Sequence, residues 1–161
     1  MELTVATAIM TTVFAAVMPL FAGIRRSAEG RWASLEMVQN ARVLNEHLGR
    51  WLAQARRITA ISAAADAAGY VDFEAADGLV YRCAAGPHGA IEFGPLGRLR
   101  PLVGPVASLR FAGFDAADCD RPAPTPERIR LVTWEAALRS PGHFVKDKVV
   151  PGACCLRADC R

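Results

Sequence analysis

The chain has 161 residues, a formal net charge of +3 and 52% hydrophobic residues. That length holds one anchor and one small head of about 100 residues. The slight positive excess is scattered arginine, which leaves no footprint for a nucleic acid, and no P-loop, GxGxxG or GxSxG motif is present.

The first element is the run Leu3 to Ile24 (LTVATAIMTTVFAAVMPLFAGI), which is uncharged and apolar almost throughout. Glu2 stands just before it, and Arg25 and Arg26 just after. As a helix such a run crosses a bilayer core of roughly 30 Å, so residues 1–24 are predicted to be a transmembrane helix. Beyond it, apolar residues recur at Trp32, Leu35, Val38, Ala41, Leu44, Leu48, Trp51 or Leu52, Ala55 and Ile58. Steps of three and four draw one stripe, which predicts an amphipathic continuation of the helix over residues 25–62. If unbroken, the whole rod is roughly 90 Å long.

Gly30 and Gly49 each cost about 1 kcal/mol relative to alanine and mark points of flexure. Arg56 and Arg57 suit the negative pole of the helix, and Gly69 its stop. Trp32 and Trp51, on or beside the stripe, are expected to pack in the core or against another subunit rather than to stack on a ligand. The arginines after the stem, including Arg31, would by the positive-inside rule hold that side in the cytoplasm, while the late cysteines argue for its export.

Residues 63–139 read as an antiparallel β head. Tyr70–Glu74 and Leu79–Cys83 flank the turn signal Asp77-Gly78 and predict a hairpin. Ala90–Phe93 and Leu99–Val103 predict a second pair, with Pro101 confining the latter to an edge. Val106–Phe114 reads as a half-buried strand, Asp115–Pro126 as a loop, and Glu127–Leu138 as a last strand with Ile129, Leu131 and Thr133 on one face. Such a sheet needs a cover, which the second half of the helix supplies. Residues 140–161 lack periodicity and read as a mobile or disulfide-tied tail.

The five cysteines, Cys83, Cys119, Cys154, Cys155 and Cys160, contain no CxxC pair, which argues against a zinc ribbon. They are disulfide candidates whose connectivity stays open, and the odd number leaves one unpaired or paired between chains. Asp115, Asp118 and Asp120 are a weak calcium candidate, read rather as a solvated acidic loop because no glutamate closes an EF-hand. His47, His88 and His143 are far apart and read as surface residues. No catalytic set, no metal and no cofactor is expected.

A hydrophobic stem with a lone glutamate at its start, a proline most of the way along and an amphipathic continuation into a β-rich head resembles the type IV pilin family. "MELTVATAIM" is similar to the family's start from its last aliphatic residue onward; Glu2 matches the family glutamate and Pro19 the stem proline, which kinks the stem. The resemblance implies a leader and first mature residues upstream of Met1. In the order of the head, Pro-Leu-Val, then Pro105-Val106-Ala107-Ser108-Leu109-Arg110-Phe111, and later Arg128-Ile129-Arg130-Leu131-Val132, resemble minor pilins and the J-type minor pseudopilin of type II secretion. The implied fold is α+β, a long N-terminal helix packed on a small antiparallel head. The implied function is structural, without enzymatic activity: a low-copy subunit that helps to initiate or cap a filament. Glu2 would pair with the N-terminal amine of a neighbouring subunit. The implied partners are other pilin or pseudopilin subunits, inner-membrane lipid, the prepilin peptidase and the assembly machinery, with the head in the periplasm. The alternatives are a single-pass anchored periplasmic binding or sensor domain and an anchored periplasmic hydrolase.

Overall fold

The computed structural model of the chain describes residues 2–115, 118–140 and 146–156, and the side chains at 2–4 and 118–120 lie outside that description. One helix, α1 (Glu2–Ala53), precedes nine strands among the described residues. They are β1 (Arg57–Ile61), β2 (Tyr70–Glu74), β3 (Val80–Ala85), β4 (Ile91–Pro95), β5 (Arg100–Val103), β6 (Val106–Asp115), β7 (Asp118–Pro122), β8 (Ile129–Leu138) and β9 (Lys148–Cys155). The result is an α+β arrangement, a long apolar N-terminal helix on antiparallel sheets, consistent with a pilin-like plan.

α1 runs without interruption through Gly30 and Gly49 for 52 residues, about 78 Å at 1.5 Å per residue. It closes at Ala53, short of the expected Ser62. The N–H groups of Gln54 and Ala55 turn back to the carbonyls of Trp51 and Leu52, both at 3.1 Å, and that of Arg56 bonds the Glu74 carbonyl at 2.8 Å. The chain has by then entered the sheet. Ala55 and Ile58 do point inward, which keeps the apolar period going in the sequence, but Ile58 does so from a strand rich in β-branched residues. Arg57 therefore serves no helix pole: it pairs with Glu74 across β1 and β2 at 2.8 Å, while Arg50 occupies the last helical turn.

The first sheet is a meander in the order β1-β2-β3-β4-β5. In the β2–β3 turn Gly78 takes a φ of 79°, and the Asp77 carboxylate accepts the Leu79 N–H at 2.9 Å, the local bond that makes Asp-Gly a turn signal. Asp72 and Arg82 face each other on adjacent strands and form a bidentate pair, both contacts at 2.7 Å. β5 with Pro101 is an edge, as its missing N–H requires.

The second sheet has the order β7-β6-β8-β9. Part of the expected loop is thus the short strand β7, and Pro126–Arg128 is a 3-10 turn. The expected tail contains β9, which pairs with β8 from Lys148 to Cys155. Pro151 sits on this outermost strand, where its lack of an N–H costs no ladder bond. The face of β8 also differs from the expected one. Asp115 opposes Ile129 and Phe114 opposes Leu131, so Arg130 is an extra residue. This bulge flips the alternation: Ile129 is buried, but beyond it the inward residues are Val132, Trp134, Ala136 and Leu138, not Leu131 and Thr133.

Gly69 is no helix stop. It lies between the sheets, its N–H on the Leu109 carbonyl at 2.7 Å, and an added Cβ would meet that same oxygen at 2.7 Å. Leu44, Leu48 and Leu52 of α1 enter one apolar core with Phe73 and Ile91 of the first sheet and Leu109, Phe111 and Val132 of the second. Their spacing of four keeps one stripe of the helix facing inward.

Candidate functional site

The stem is the feature with no internal explanation. Along it Val5, Ile9, Val13, Phe14, Leu20 and Ile24 are all more than half exposed, and no part of the most apolar window is buried. The helix is long and apolar enough to span a membrane. Two of its threonines turn their hydroxyls onto the backbone: Thr11 and Thr12 donate to the carbonyls of Thr7 and Ala8 at 2.7 and 2.8 Å. That satisfies them without water, as a hydrocarbon environment requires. Pro19 lies inside the helix and offers no N–H to the Ala15 carbonyl. Glu2 lies on the first turn of α1, with its side chain outside the described residues.

Where stem meets head, the expected stripe is rotated. Trp32 is 73% exposed, and Leu35 and Val38 are also exposed; Ala33 and Met37 are the buried residues instead. Met37 and Leu44 are separated by two turns, so the inward line runs straight from Ala33 to Leu52 and passes Trp32 by. Of the two expected places for the tryptophans, core or subunit contact, the head's core takes Trp51, which is partly buried against it, and leaves Trp32 outside. Arg25, Arg26 and Arg31 are exposed around this junction, and Arg25 bonds Glu29 at 2.9 Å. A shallow apolar groove runs over the small residues Gly23, Ser27 and Ala28 between Pro19 and Leu35.

On the head side of the junction, helix and head are joined by polar contacts and by rings. Asn40 donates to the Gly104 carbonyl at 3.0 Å. The Trp134 indole N–H donates to Asn45 Oδ1 at 2.9 Å, and the other end of that amide reaches the Pro151 carbonyl at 3.5 Å. Cys154 Sγ lies 3.4 Å from the Gly49 carbonyl. On the other side His47 and Trp51 meet Tyr81 and Phe93 of the first sheet, and those two rings in turn meet Phe73. His47 stands edge-on to Phe93 at 4.5 Å between centroids, and Trp51 lies 4.6 Å from Tyr81. His47 is therefore not a surface residue. Its Nε2 is buried with no hydrogen-bond partner, and burial, followed by the charge of Arg50, holds the imidazole below its ordinary pKa. Aromatic residues on neighbouring strands carried the signal for this cluster; strand registers were needed to bring them together.

The remaining candidates do not converge. Cys83 is a free thiol sealed in the core, where burial drives its pKa upward. Cys154 and Cys155 are free on successive residues of β9, one partly buried and one exposed. The Cys119 side chain and all of Cys160 lie outside the described residues. Asp115 is held by Arg128 at 3.0 Å, and the carboxylates of Asp118 and Asp120 are outside the description. His88 is exposed, and His143 lies outside the described residues. Among the described residues no group of three or more His, Cys, Asp or Glu is placed to hold a metal ion. No family model, no curated protein and no solved structure matches this chain.

Proposed function

We propose that this chain is a membrane-anchored assembly subunit of the minor pilin or minor pseudopilin kind, which helps to initiate or cap a type IV pilus or type II secretion filament. One observation carries the reading: a single uninterrupted helix is divided into a stem that its own head leaves bare and a second half that the head buries. A folded head cannot cover such a stem, so its apolar surface needs lipid or other stems. In the membrane it rests in hydrocarbon. In the filament it packs against stems of sister subunits, and the head remains in the periplasm.

Lipid tails are as apolar as the stem, so leaving them gains little hydrophobic energy. The exchange is driven by close packing and by polar pairing. Glu2, at the edge of hydrocarbon, is costly there unless paired, and a neighbouring N-terminal amine in low dielectric supplies a directional partner. The prepilin peptidase and the motor act from other chains.

The test is Glu2→Ala in cells that make the filament. The variant is expected in the membrane fraction with a folded head, and absent from filaments sheared off the cell. Incorporation at the normal level would remove the mechanism.

A further inference from the structure

We propose that Arg25, Arg26, Arg31 and Trp32 form a collar that binds anionic phospholipid headgroups on the head side of the bilayer and so fixes the depth of the stem. The inference rests on the membrane-anchored reading above and adds what the junction recognises.

The disposition of the residues around the axis selects the partner. With 3.6 residues per turn, Arg26 lies about 100° and Arg31 about 240° around the helix from Arg25, while Trp32 returns to the side of Arg25 two turns on. The cations therefore encircle the helix. A single protein docked beside the helix touches one face and would need its charges there. A headgroup layer surrounds the helix and meets cations on every side. All three arginines are exposed, the Arg25 side chain at 83%, and Trp32 is 73% exposed. From Arg25 to Trp32 the only acid is Glu29, which bonds Arg25 at 2.9 Å, so three positive charges stand against one negative, a net of two positive.

The dimensions agree. The uncharged run from Leu3 to Ile24 rises about 33 Å, one hydrocarbon thickness. The collar adds about 10 Å, enough to cross the headgroup zone of one leaflet. The head begins immediately above it, since Ala33, at 5%, is the first buried side chain along the described helix. An indole with an apolar body and one N–H suits this layer, and long arginine side chains carry their charge to the phosphates while their stems stay among acyl chains. The groove over Gly23 and Ser27 leads from the hydrocarbon up to Arg31, so an acyl chain can lie in it beneath a phosphate held by that guanidinium.

The test uses the full chain in phosphatidylcholine vesicles with and without phosphatidylglycerol. The fluorescence that Trp32 contributes is the difference between the wild-type chain and Trp32→Leu. It is expected to be quenched severalfold more by lipids brominated near the glycerol backbone than by lipids brominated near the bilayer centre. Lipid that stays with the protein on detergent extraction is expected to be enriched in phosphatidylglycerol. Each arginine changed to glutamine should lower that enrichment about fivefold, which corresponds to ~1 kcal/mol per basic residue at an anionic surface. If the chain floats with the vesicles but the Trp32 signal is quenched only by aqueous acrylamide, the collar is wrong and the anchor stands. Unchanged enrichment in the triple Arg25→Gln, Arg26→Gln, Arg31→Gln variant overturns it as well. A chain that does not float in either composition overturns both readings.

Discussion

Trp134 on β8 donates its indole N–H to the side-chain oxygen of Asn45 on α1 at 2.9 Å, across 89 positions of sequence. The indole is 4% exposed, so this bond satisfies a donor that water cannot reach. Asn45→Ala is expected to destabilise the head by about 1–3 kcal/mol, because it strands the buried N–H. Trp134→Phe on top of Asn45→Ala should cost less than the sum of the two single changes. Urea unfolding of the chain in detergent micelles measures that non-additivity. Strict additivity would mean that the bond does not link helix to sheet.

Gly152 lies opposite Trp134 on β9, and a Cβ there would run into the indole ring. Gly152→Ala must therefore push the ring off its seat and strain the Asn45 bond. The expected loss is about 1–3 kcal/mol, the usual cost of overpacking. A shift in near-ultraviolet circular dichroism should accompany it, and wild-type stability and spectrum would refute the close approach.

His47 predicts a pH dependence whose sign follows from its surroundings. Burial holds its folded pKa below the unfolded value, about 6.5 for a free imidazole. Between the two values the unfolded chain binds more protons, so stability rises with pH there. The contribution is complete above about pH 6.5 and is lost as pH falls toward the folded value. His47→Phe should remove this slope from a series of urea midpoints taken between neutral and mildly acid pH. An identical slope in the variant would assign it to other groups.

The thiols of Cys83, Cys154 and Cys155 should react in a fixed order. Cys155 is exposed, Cys154 is partly buried with its pKa raised by burial and by the Cys155 charge, and Cys83 is sealed. Iodoacetamide labelling of the native chain, read by peptide mass spectrometry, should modify Cys155 first, Cys154 slowly and Cys83 only after unfolding. No disulfide between Cys154 and Cys155 is expected, because successive strand residues point to opposite faces. Early labelling of Cys83 would contradict its burial.

The sequence made the long rod and most of the head legible for a physical reason. Leu3 to Ile24 has only one charge-free, membrane-length reading, and strands such as Tyr70–Glu74 and Val106–Phe114 alternate with turn chemistry between them. The misreadings share a different cause. Ile58 keeps a helical interval to Leu52 and Ala55 although it is already in a strand, because burial from a turn and a short strand mimics the helical period. β9 carries Pro151, Gly152 and two cysteines, which read as breakers until the sheet order shows that Pro151 is on an edge and that Gly152 makes room for Trp134. The inversion of β8 comes from one extra residue, Arg130, and a bulge leaves no periodic trace. His47 could not be placed at all without Phe93, 46 positions away.

α1 and β9 lie side by side and run the same way, since Asn45 meets Pro151 and Gly49 meets Cys154. A pull on the rod along its axis would not peel these contacts apart one at a time. It would load them together in shear, along with the eight-residue ladder that fastens β9 to β8. A head mounted in this way resists traction far better than one hung from a flexible hinge, and force applied at the tip of the rod reaches the middle of the second sheet.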